Sequence, residues 1–173
     1  TPLLIYIHGG GLRQGSKDGG AGFIEAPALL NAGFMVISID YRLAPEYILP
    51  AMIEDVKCAV RSFRTRAAEF NIDPDRIGVW GSSSGGHLAA FLGTSGGESQ
   101  FDVGEYLDVS SRVQAVVDMF GPTDMLTMPL YRPFNGEETL HEQVFGTNDK
   151  SDPIYTIASP VTYVTNDDPP FLI

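Results

Sequence analysis

The sequence predicts an α/β fold in which parallel strands are joined by crossover helices. Short apolar runs alternate with segments of helical periodicity from the first residue onward, a pattern typical of a mostly parallel sheet with helices on both faces. Leu3 to Ile7 is a continuous apolar strand that ends at a glycine run. Phe34 to Ile39, rich in β-branched residues, is a second strand that ends at Asp40. Apolar runs of this kind are typical of strands covered on both sides, so we expect both strands to be buried on two faces.

Two crossover helices are predicted in the first half of the chain. Residues Gly22 to Ala32 are expected to form a helix that ends where Gly33 can take a left-handed conformation. After Pro50, apolar residues recur at three- and four-residue intervals and therefore share one helix face. These residues are Val56, Ala59, Val60, Phe63, Ala67 and Phe70.

The second half continues the alternation of strands and helices. Ile77 to Trp80 is predicted to be the third strand, Gly86 to Gly93 part of the next helix, and Val113 to Met119 the fourth strand. A short helix is expected from Glu137 to Phe145, and the last residues, Pro169 to Ile173, are expected to begin another strand.

The whole chain, residues 1–173, is therefore interpreted as one partial domain. Residues 124–156 are weakly patterned and polar, and we expect them to form a variable loop or cap-like region.

Composition excludes several classes of protein. The 173 residues contain 11 Lys and Arg against 22 Asp and Glu, a net charge of −11, whereas nucleic acids and anionic lipids bind basic surfaces. The longest apolar runs have the length of a strand, far below the roughly 18 residues of a membrane span. The lone Cys58 and three scattered histidines support neither a disulfide nor a metal site, and we expect no cofactor. The first residue, Thr1, leads straight into a strand, so the sequence gives no information on a signal peptide and leaves localisation open. Oligomeric state is left open as well.

The segment Gly81-Ser82-Ser83-Ser84-Gly85 has the form G-x-S-x-G, and only Ser83 has glycine two places away on both sides. It follows a predicted strand and precedes a helical run, as a nucleophile elbow requires. The chemistry needs small neighbours, because a Cβ at position 81 or 85 would collide with the adjoining chain.

The run His8-Gly9-Gly10-Gly11 follows the first strand. Glycines in this place can present bare backbone N–H groups to the oxyanion of a tetrahedral acyl intermediate. A plain glycine-rich loop or a phosphate cradle is the alternative, but neither G-x-x-x-x-G-K-[ST] nor G-x-G-x-x-G spacing is present.

Together these motifs make the chain resemble an α/β-hydrolase of the hormone-sensitive-lipase-like, bacterial acetyl-esterase type (carboxylesterases and lipases). The segments that carry the resemblance occur in the family's order: His8-Gly9-Gly10-Gly11, Asp40 to Glu46, Arg76 to Ala89, and Ala158 to Ile173. The resemblance implies that Ser83 is the nucleophile and that the N–H groups of Gly10, Gly11 and Ser84 form the oxyanion hole. It is weakest from Asp124 to Thr156.

The chain also departs from that family. Its members carry the catalytic Asp and then the catalytic His beyond the segment that ends here at Ile173, and their sheet begins before the strand that is first here. The resemblance therefore implies an internal fragment that lacks the first and last strands and shows little or no activity by itself.

The three histidines are poor candidates for a base within the chain. The resemblance makes His8 a loop organiser, and His87, four residues after Ser83, is expected to pack or cap because the helix carries its ring away. His141 has acidic neighbours, and a solvated helix face is the favoured interpretation. Asp124 is kept as an alternative orienting acid, although a turn residue is the favoured interpretation.

Two further groups receive structural interpretations. Arg42 is expected to be a hydrogen-bond hub for the loop after the second strand. Tyr131 and Phe134 are weighed as the lining of an acyl pocket or cap, with ordinary packing favoured.

The resemblance implies a serine carboxylic-ester hydrolase that acts through an acyl-enzyme on small or short-acyl esters, among them acetyl or feruloyl esters of polysaccharides. A peptidase of the prolyl-oligopeptidase type and a non-catalytic hydrolase-like binding protein remain alternatives. Retention of both motifs weighs against the binding protein.

Overall fold

A computed structural model describes residues 1–130 and 138–173 of the chain. Its five strands are β1 (Leu3–Ile7), β2 (Met35–Ile39), β3 (Ile77–Ser82), β4 (Ala115–Met119) and β5 (Phe171–Leu172). Its five α-helices are α1 (Ala26–Asn31), α2 (Ala51–Thr65), α3 (Ser84–Thr94), α4 (Leu140–Phe145) and α5 (Pro153–Ile157). Short 3₁₀ turns cover Ala21–Glu25, Ser99–Phe101 and Pro160–Tyr163.

The strands form one parallel sheet in the order β2-β1-β3-β4-β5. In register, Ile5 of β1 lies between Ile37 of β2 and Val79 of β3. The carboxyl ends of parallel strands meet at one edge of the sheet, so the turns after β1, β3 and β4 are neighbours. The predicted mostly parallel α/β sheet is thereby confirmed.

Helices cover both faces of the sheet. Helices α2 and α3 pack against each other, and α3 packs on β3 and β4. On the opposite face, Tyr6 of β1 contacts Phe23 and Trp80, with ring centroids 5.3 and 5.1 Å away. Phe23 lies in the 3₁₀ turn before α1, so the first crossover covers the face that α2 and α3 leave open.

Several predicted elements need correction. Strand β2 pairs with β1 alone among the described strands and is mostly half-buried, so the expectation that it is buried on two faces was wrong. The first crossover is not one helix, because a 3₁₀ turn leads into α1. Pro27 lies in the first turn of α1, where a residue without an N–H loses no hydrogen bond. Gly33 does take the left-handed conformation, with φ at +90°.

Helix boundaries also differ from the prediction. Helix α2 ends at Thr65, so Ala67 and Phe70 lie beyond it, although both still pack against the core. Helix α4 begins at Leu140 because the Thr139 side chain accepts a hydrogen bond from the Glu142 N–H and forms a capping box. The remainder of that predicted helix includes Glu137, which lies outside the described residues.

Residues 124–156, predicted as a variable or cap-like region, contain α4 and most of α5. The assignment of residues 1–173 to one partial domain stays a prediction. Within the part of the chain that the structure describes, no helix has both the length and the apolar character that crossing a bilayer requires.

Two buried cations fix α2 to the segment after α3. Lys57 Nζ donates to the carbonyl oxygens of Ser95 and Glu98, at 3.0 and 2.8 Å. Arg61 donates to Asp102 Oδ1 at 2.7 Å, and the same carboxylate lies 3.5 Å from Lys57. Burial lowers the pKa of Lys57 and the Asp102 charge opposes that shift.

Replacing Asp102 with alanine should destabilise the fold, because Arg61, 1% exposed, and Lys57 would lose a shared counter-charge. We expect a loss of about 3 kcal/mol in the free energy of unfolding, measured by urea denaturation. Asp167→Ala is the control: Asp167, 67% exposed, pairs with Arg112 on the surface, and its loss should cost about 1 kcal/mol at most. Equal losses in both variants would contradict the structural role of the buried pair.

Candidate active site

Ser83 stands at the turn between β3 and α3. Its backbone has φ 54° and ψ −123°, a combination that non-glycine residues rarely adopt. The side chain is exposed, whereas Ser82 and Ser84 on either side are buried. The strained turn therefore singles out one hydroxyl of the three serines and presents it to solvent.

The two glycines of the motif are required by close contacts with β1. A Cβ on Gly85 would lie 2.1 Å from the carbonyl oxygen of Ile7 and 2.6 Å from that of His8. A Cβ on Gly81 would lie 2.7 Å from the same Ile7 oxygen and 2.3 Å from the Gly85 oxygen. The start of α3 thus crosses the end of β1 with no room for side chains, which agrees with the steric argument made from the motif.

The glycine loop after β1 lies directly beside the elbow. A Cβ on Gly9 would lie 2.8 Å from the Ser82 oxygen and 3.5 Å from Ser83 Cβ. Gly10 and Gly11 have φ values of +128° and +65°. Within residues 1–130 and 138–173, neither of their N–H groups donates a hydrogen bond to a protein acceptor. The glycine loop thus contacts the elbow through Gly9, and the N–H groups of Gly10 and Gly11 have no acceptor among the described residues; their role as oxyanion donors stays a prediction.

Ser84 is the first residue of α3, where backbone N–H groups have no partner within the helix. The positive end of the helix dipole adds to the attraction for an anion there. Gly11 and Ser84 line one cavity beside the elbow, and Gly10 and Ser83 line another.

His8 holds the glycine loop. Its Nδ1 is 2.8 Å from the Gly9 carbonyl oxygen, and its ring stacks on Tyr41 with centroids 4.3 Å apart. The Tyr41 hydroxyl donates to the His8 carbonyl oxygen at 2.9 Å, and burial raises the pKa of Tyr41 to about 12. These contacts fit the loop-organising role that the resemblance implies.

The other two histidines, His87 and His141, are buried as well. His87 Nδ1 is 2.9 Å from the Pro122 carbonyl oxygen, and burial lowers the pKa of His87 to about 4. The expectation of a solvated His141 was wrong, since its side chain is fully buried in a cluster with the rings of Phe145 and Tyr155, whose centroids are 5.6 and 5.9 Å away. Burial lowers the pKa of His141 as well.

Asp124 lies in a turn, as the favoured interpretation had it. Its Oδ1 accepts hydrogen bonds from the N–H groups of Leu126 and Thr127, at 3.0 and 3.4 Å. Asp118, by contrast, is buried at the end of β4 and accepts the Gly121 N–H at 2.7 Å, and burial raises its pKa. Among the described residues, neither carboxylate is hydrogen-bonded to a histidine.

Arg42 is the hydrogen-bond hub that the sequence predicts. It donates to the Asp55 carboxylate at 2.9 to 3.0 Å, to Glu54 at 3.0 Å and to the Ala51 carbonyl oxygen at 3.0 Å. The loop after β2 is thereby tied to the first turns of α2. Tyr131 and Phe134, weighed as acyl-pocket residues, lie outside the described residues.

Two cavities are lined by residues of the elbow. The first, about 340 Å³ including its mouth, is lined by Gly11, Ser84 and apolar side chains, among them Met125, Met128 and Leu140. The second is open and larger, about 880 Å³ including its mouth, and is lined by Ser83, the glycine loop and Phe120. Sequence patterns did not point to Met125, Met128, Leu140 or Phe120, because no motif contains them.

Comparisons with known proteins agree with this geometry. The BD-FAE family model matches residues 1–173. LipM, a probable carboxylic ester hydrolase of Mycobacterium tuberculosis, is 32% identical over 178 residues, covering 100% of this chain and 40% of LipM. The chain thus spans about two fifths of the length of such curated relatives.

Solved structures give the same picture. A truncated carbohydrate esterase from gut microbiota aligns with a TM-score of 0.85 at 38% identity, over 99% of this chain and 65% of that one. An acetyl ester-xyloside bifunctional hydrolase from Caldicellulosiruptor lactoaceticus aligns with a TM-score of 0.73 at 29% identity, over 98% and 59% of the two chains.

Replacing Gly85 with alanine should disrupt the elbow, because the methyl group would overlap two backbone oxygens that cannot move apart without distorting β1. We expect a loss of about 3 kcal/mol or more in stability, seen as a lower melting temperature or loss of soluble protein. The control is Gly97→Ala: Gly97 is exposed, and its Cβ would meet only the end of the Arg112 side chain, at 3.5 Å. A Gly85→Ala protein as stable as this control would show that the crossing is looser than described.

Proposed function

The chain belongs to the BD-FAE family of α/β-hydrolase esterases, and on that premise we propose that the protein is a serine carboxylic-ester hydrolase for small or short-acyl esters. The observation that carries the proposal is the exposed Ser83 hydroxyl on a strained elbow, beside glycine N–H groups that have no acceptor among the described residues. Because the chain spans only part of its relatives, the proposal concerns the full-length protein.

The proposed reaction begins when Ser83 Oγ attacks the ester carbonyl carbon while a base takes the hydroxyl proton. The carbonyl oxygen becomes an oxyanion that accepts hydrogen bonds from the N–H groups of Gly10, Gly11 and Ser84. The intermediate then breaks its bond to the alcohol oxygen, which receives the proton, and leaves an acyl-enzyme at Ser83. Water attacks the acyl-enzyme by the same route and releases the carboxylic acid.

The base is proposed to come from outside these 173 residues. His8 is held by the Gly9 carbonyl and Tyr41, His87 by Pro122, and His141 is enclosed by aromatic rings. The chain by itself is therefore expected to have little or no activity. A serine without a base and an orienting acid loses several orders of magnitude in rate.

The apolar cavity is proposed as the acyl pocket. It begins at Gly11 and Ser84, two of the proposed oxyanion donors, so an acyl group whose carbonyl oxygen lies between them would extend into it. A Cβ on Gly11 would lie 3.6 Å from Leu140 Cδ1, so Leu140 closes the pocket near the carbonyl. We propose that Leu140, so close to the carbonyl, favours acetyl and other small acyl groups over long chains.

The alcohol part of the substrate is proposed to be a carbohydrate. The relatives with solved structures include a carbohydrate esterase and an acetyl ester-xyloside hydrolase by their titles. We therefore infer that acetylated sugars of polysaccharides are the substrate class that this family member shares with them.

Ser83→Ala in the full-length protein should lower kcat for an acetyl ester by at least about 10³-fold, because the attacking oxygen is gone. An alkyl fluorophosphonate should form one covalent adduct, which peptide mass spectrometry places on Ser83 as its Oγ displaces fluoride. Ser110→Ala, a change of an exposed serine away from the elbow, is the matched control and should keep both turnover and labelling. An adduct on Ser82 or Ser84, or full turnover by Ser83→Ala, would refute the proposed nucleophile.

Leu140→Ala should enlarge the pocket next to Gly11. The ratio of kcat/KM for a butyrate ester to that for the matching acetate should rise several-fold, since an added methylene in an apolar pocket is worth roughly 1 kcal/mol or more. Leu126→Ala, in the loop after β4 and 44% exposed, serves as the control and should leave the ratio unaltered. An unchanged ratio in Leu140→Ala would show that the acyl group lies elsewhere.

A further inference from the structure

Phe120 occupies an unusual position beside the elbow. It follows β4, has a φ of +51°, and its side chain is 75% exposed. A left-handed backbone is unfavourable for a bulky residue, and a phenyl ring that stays exposed contributes little to the hydrophobic core. Neither local conformation nor core packing therefore explains a phenylalanine at this position.

The backbone on both sides of Phe120 is held in place. The Met119 carbonyl oxygen accepts the Ser83 N–H at 2.9 Å, and Asp118 accepts the Gly121 N–H at 2.7 Å. A Cβ on Gly121 would lie 2.3 Å from the backbone nitrogen of His87, so this turn packs directly against α3. Phe120 lies between two fixed residues, and the turn directs its ring outward.

The ring faces the open cavity that contains Ser83. Of the large apolar side chains that are exposed in the described residues, Phe120 is the one that lines this cavity. The remaining lining is His8, five glycines, Gln14, Ser82 and Ser83, with no carboxylate, lysine or arginine among them. The cavity therefore combines one aromatic face with hydrogen-bonding groups, none of them a carboxylate, lysine or arginine.

We propose that Phe120 is the platform on which a sugar ring of the alcohol part stacks while its ester reaches Ser83. A pyranose ring has polar hydroxyls at its edge and C–H groups on its faces, and the negative face of an aromatic ring attracts such C–H groups. The hydroxyl, amide and backbone groups of the lining suit the hydroxyls of the sugar. This inference rests on the proposed esterase function and adds a specificity-determining residue to it.

The test compares two acetates in the full-length protein, mono-acetylated xylobiose and vinyl acetate, which share the acyl group but differ in the alcohol. For Phe120→Ala, the ratio of kcat/KM for the sugar ester to that for vinyl acetate should fall about tenfold, chiefly through KM. Phe120→Tyr should restore the ratio because the aromatic face returns. The control is Leu107→Ala, which changes an exposed residue in the segment leading into the opposite end of β4 and should leave the ratio as it is.

An unchanged ratio in Phe120→Ala would overturn the inference. It would also be overturned if both substrates lost activity equally while the melting temperature fell, because another part of the full-length protein would then be packing on the ring.

Binding without turnover separates this inference from the proposed function. In Ser83→Ala protein, saturation-transfer NMR with unesterified xylotriose should show signal transfer to the ring C–H protons, and the added Phe120→Ala change should remove it. Transfer that survives the loss of Phe120 would refute the platform alone, whereas ester turnover that survives Ser83→Ala would refute the proposed nucleophile alone.

Discussion

The close crossing of α3 over the end of β1 is the constraint on which the rest of the site depends. Backbone oxygens of Ile7 and His8 occupy the space that side chains on Gly81 and Gly85 would need. Once the helix begins that close to the sheet, the turn before it must be sharp, and Ser83 is forced into its strained and exposed conformation. The same approach brings the first N–H groups of α3 next to the glycine loop, so one steric requirement produces both the proposed nucleophile and its proposed anion site.

Sequence reasoning succeeded where a short segment contains its own physical cause. Strand β1 was predicted with its observed bounds, and the steric role of Gly81 and Gly85 followed from the motif alone. It failed where the cause lies in strand order or in distant contacts. Strand β2 pairs only with β1 among the described strands, and its half-burial depends on which elements lie beside it, which no local pattern contains.

The buried polar groups show the same limit. His141 was expected to be solvated because acidic residues surround it in the sequence, yet Tyr155 of α5 and Phe145, one turn on, enclose its ring. Arg61 lies on α2, and the segment after α3 supplies the carboxylate that allows it to be buried. In both cases the partner comes from another element, so the burial of a polar residue becomes evident only once the elements are packed.

The elbow is held by different forces on its two sides. Toward β1 the contacts are steric and leave no freedom, since backbone meets backbone. Toward β4 they are hydrogen bonds: the Ser83 N–H donates to the Met119 carbonyl oxygen, and His87 Nδ1 is hydrogen-bonded to the Pro122 carbonyl oxygen.

The hydrogen bond of His87 fixes where its ring proton lies. A carbonyl oxygen only accepts, so Nδ1 of His87 carries the proton, and a pKa of about 4 keeps the ring neutral. That neutral ring ties α3 to the turn that presents Phe120 and leads into the wall of the apolar cavity. The shape of both proposed substrate pockets therefore depends on how the turn after β4 is fastened to α3, a feature that the G-x-S-x-G motif does not include.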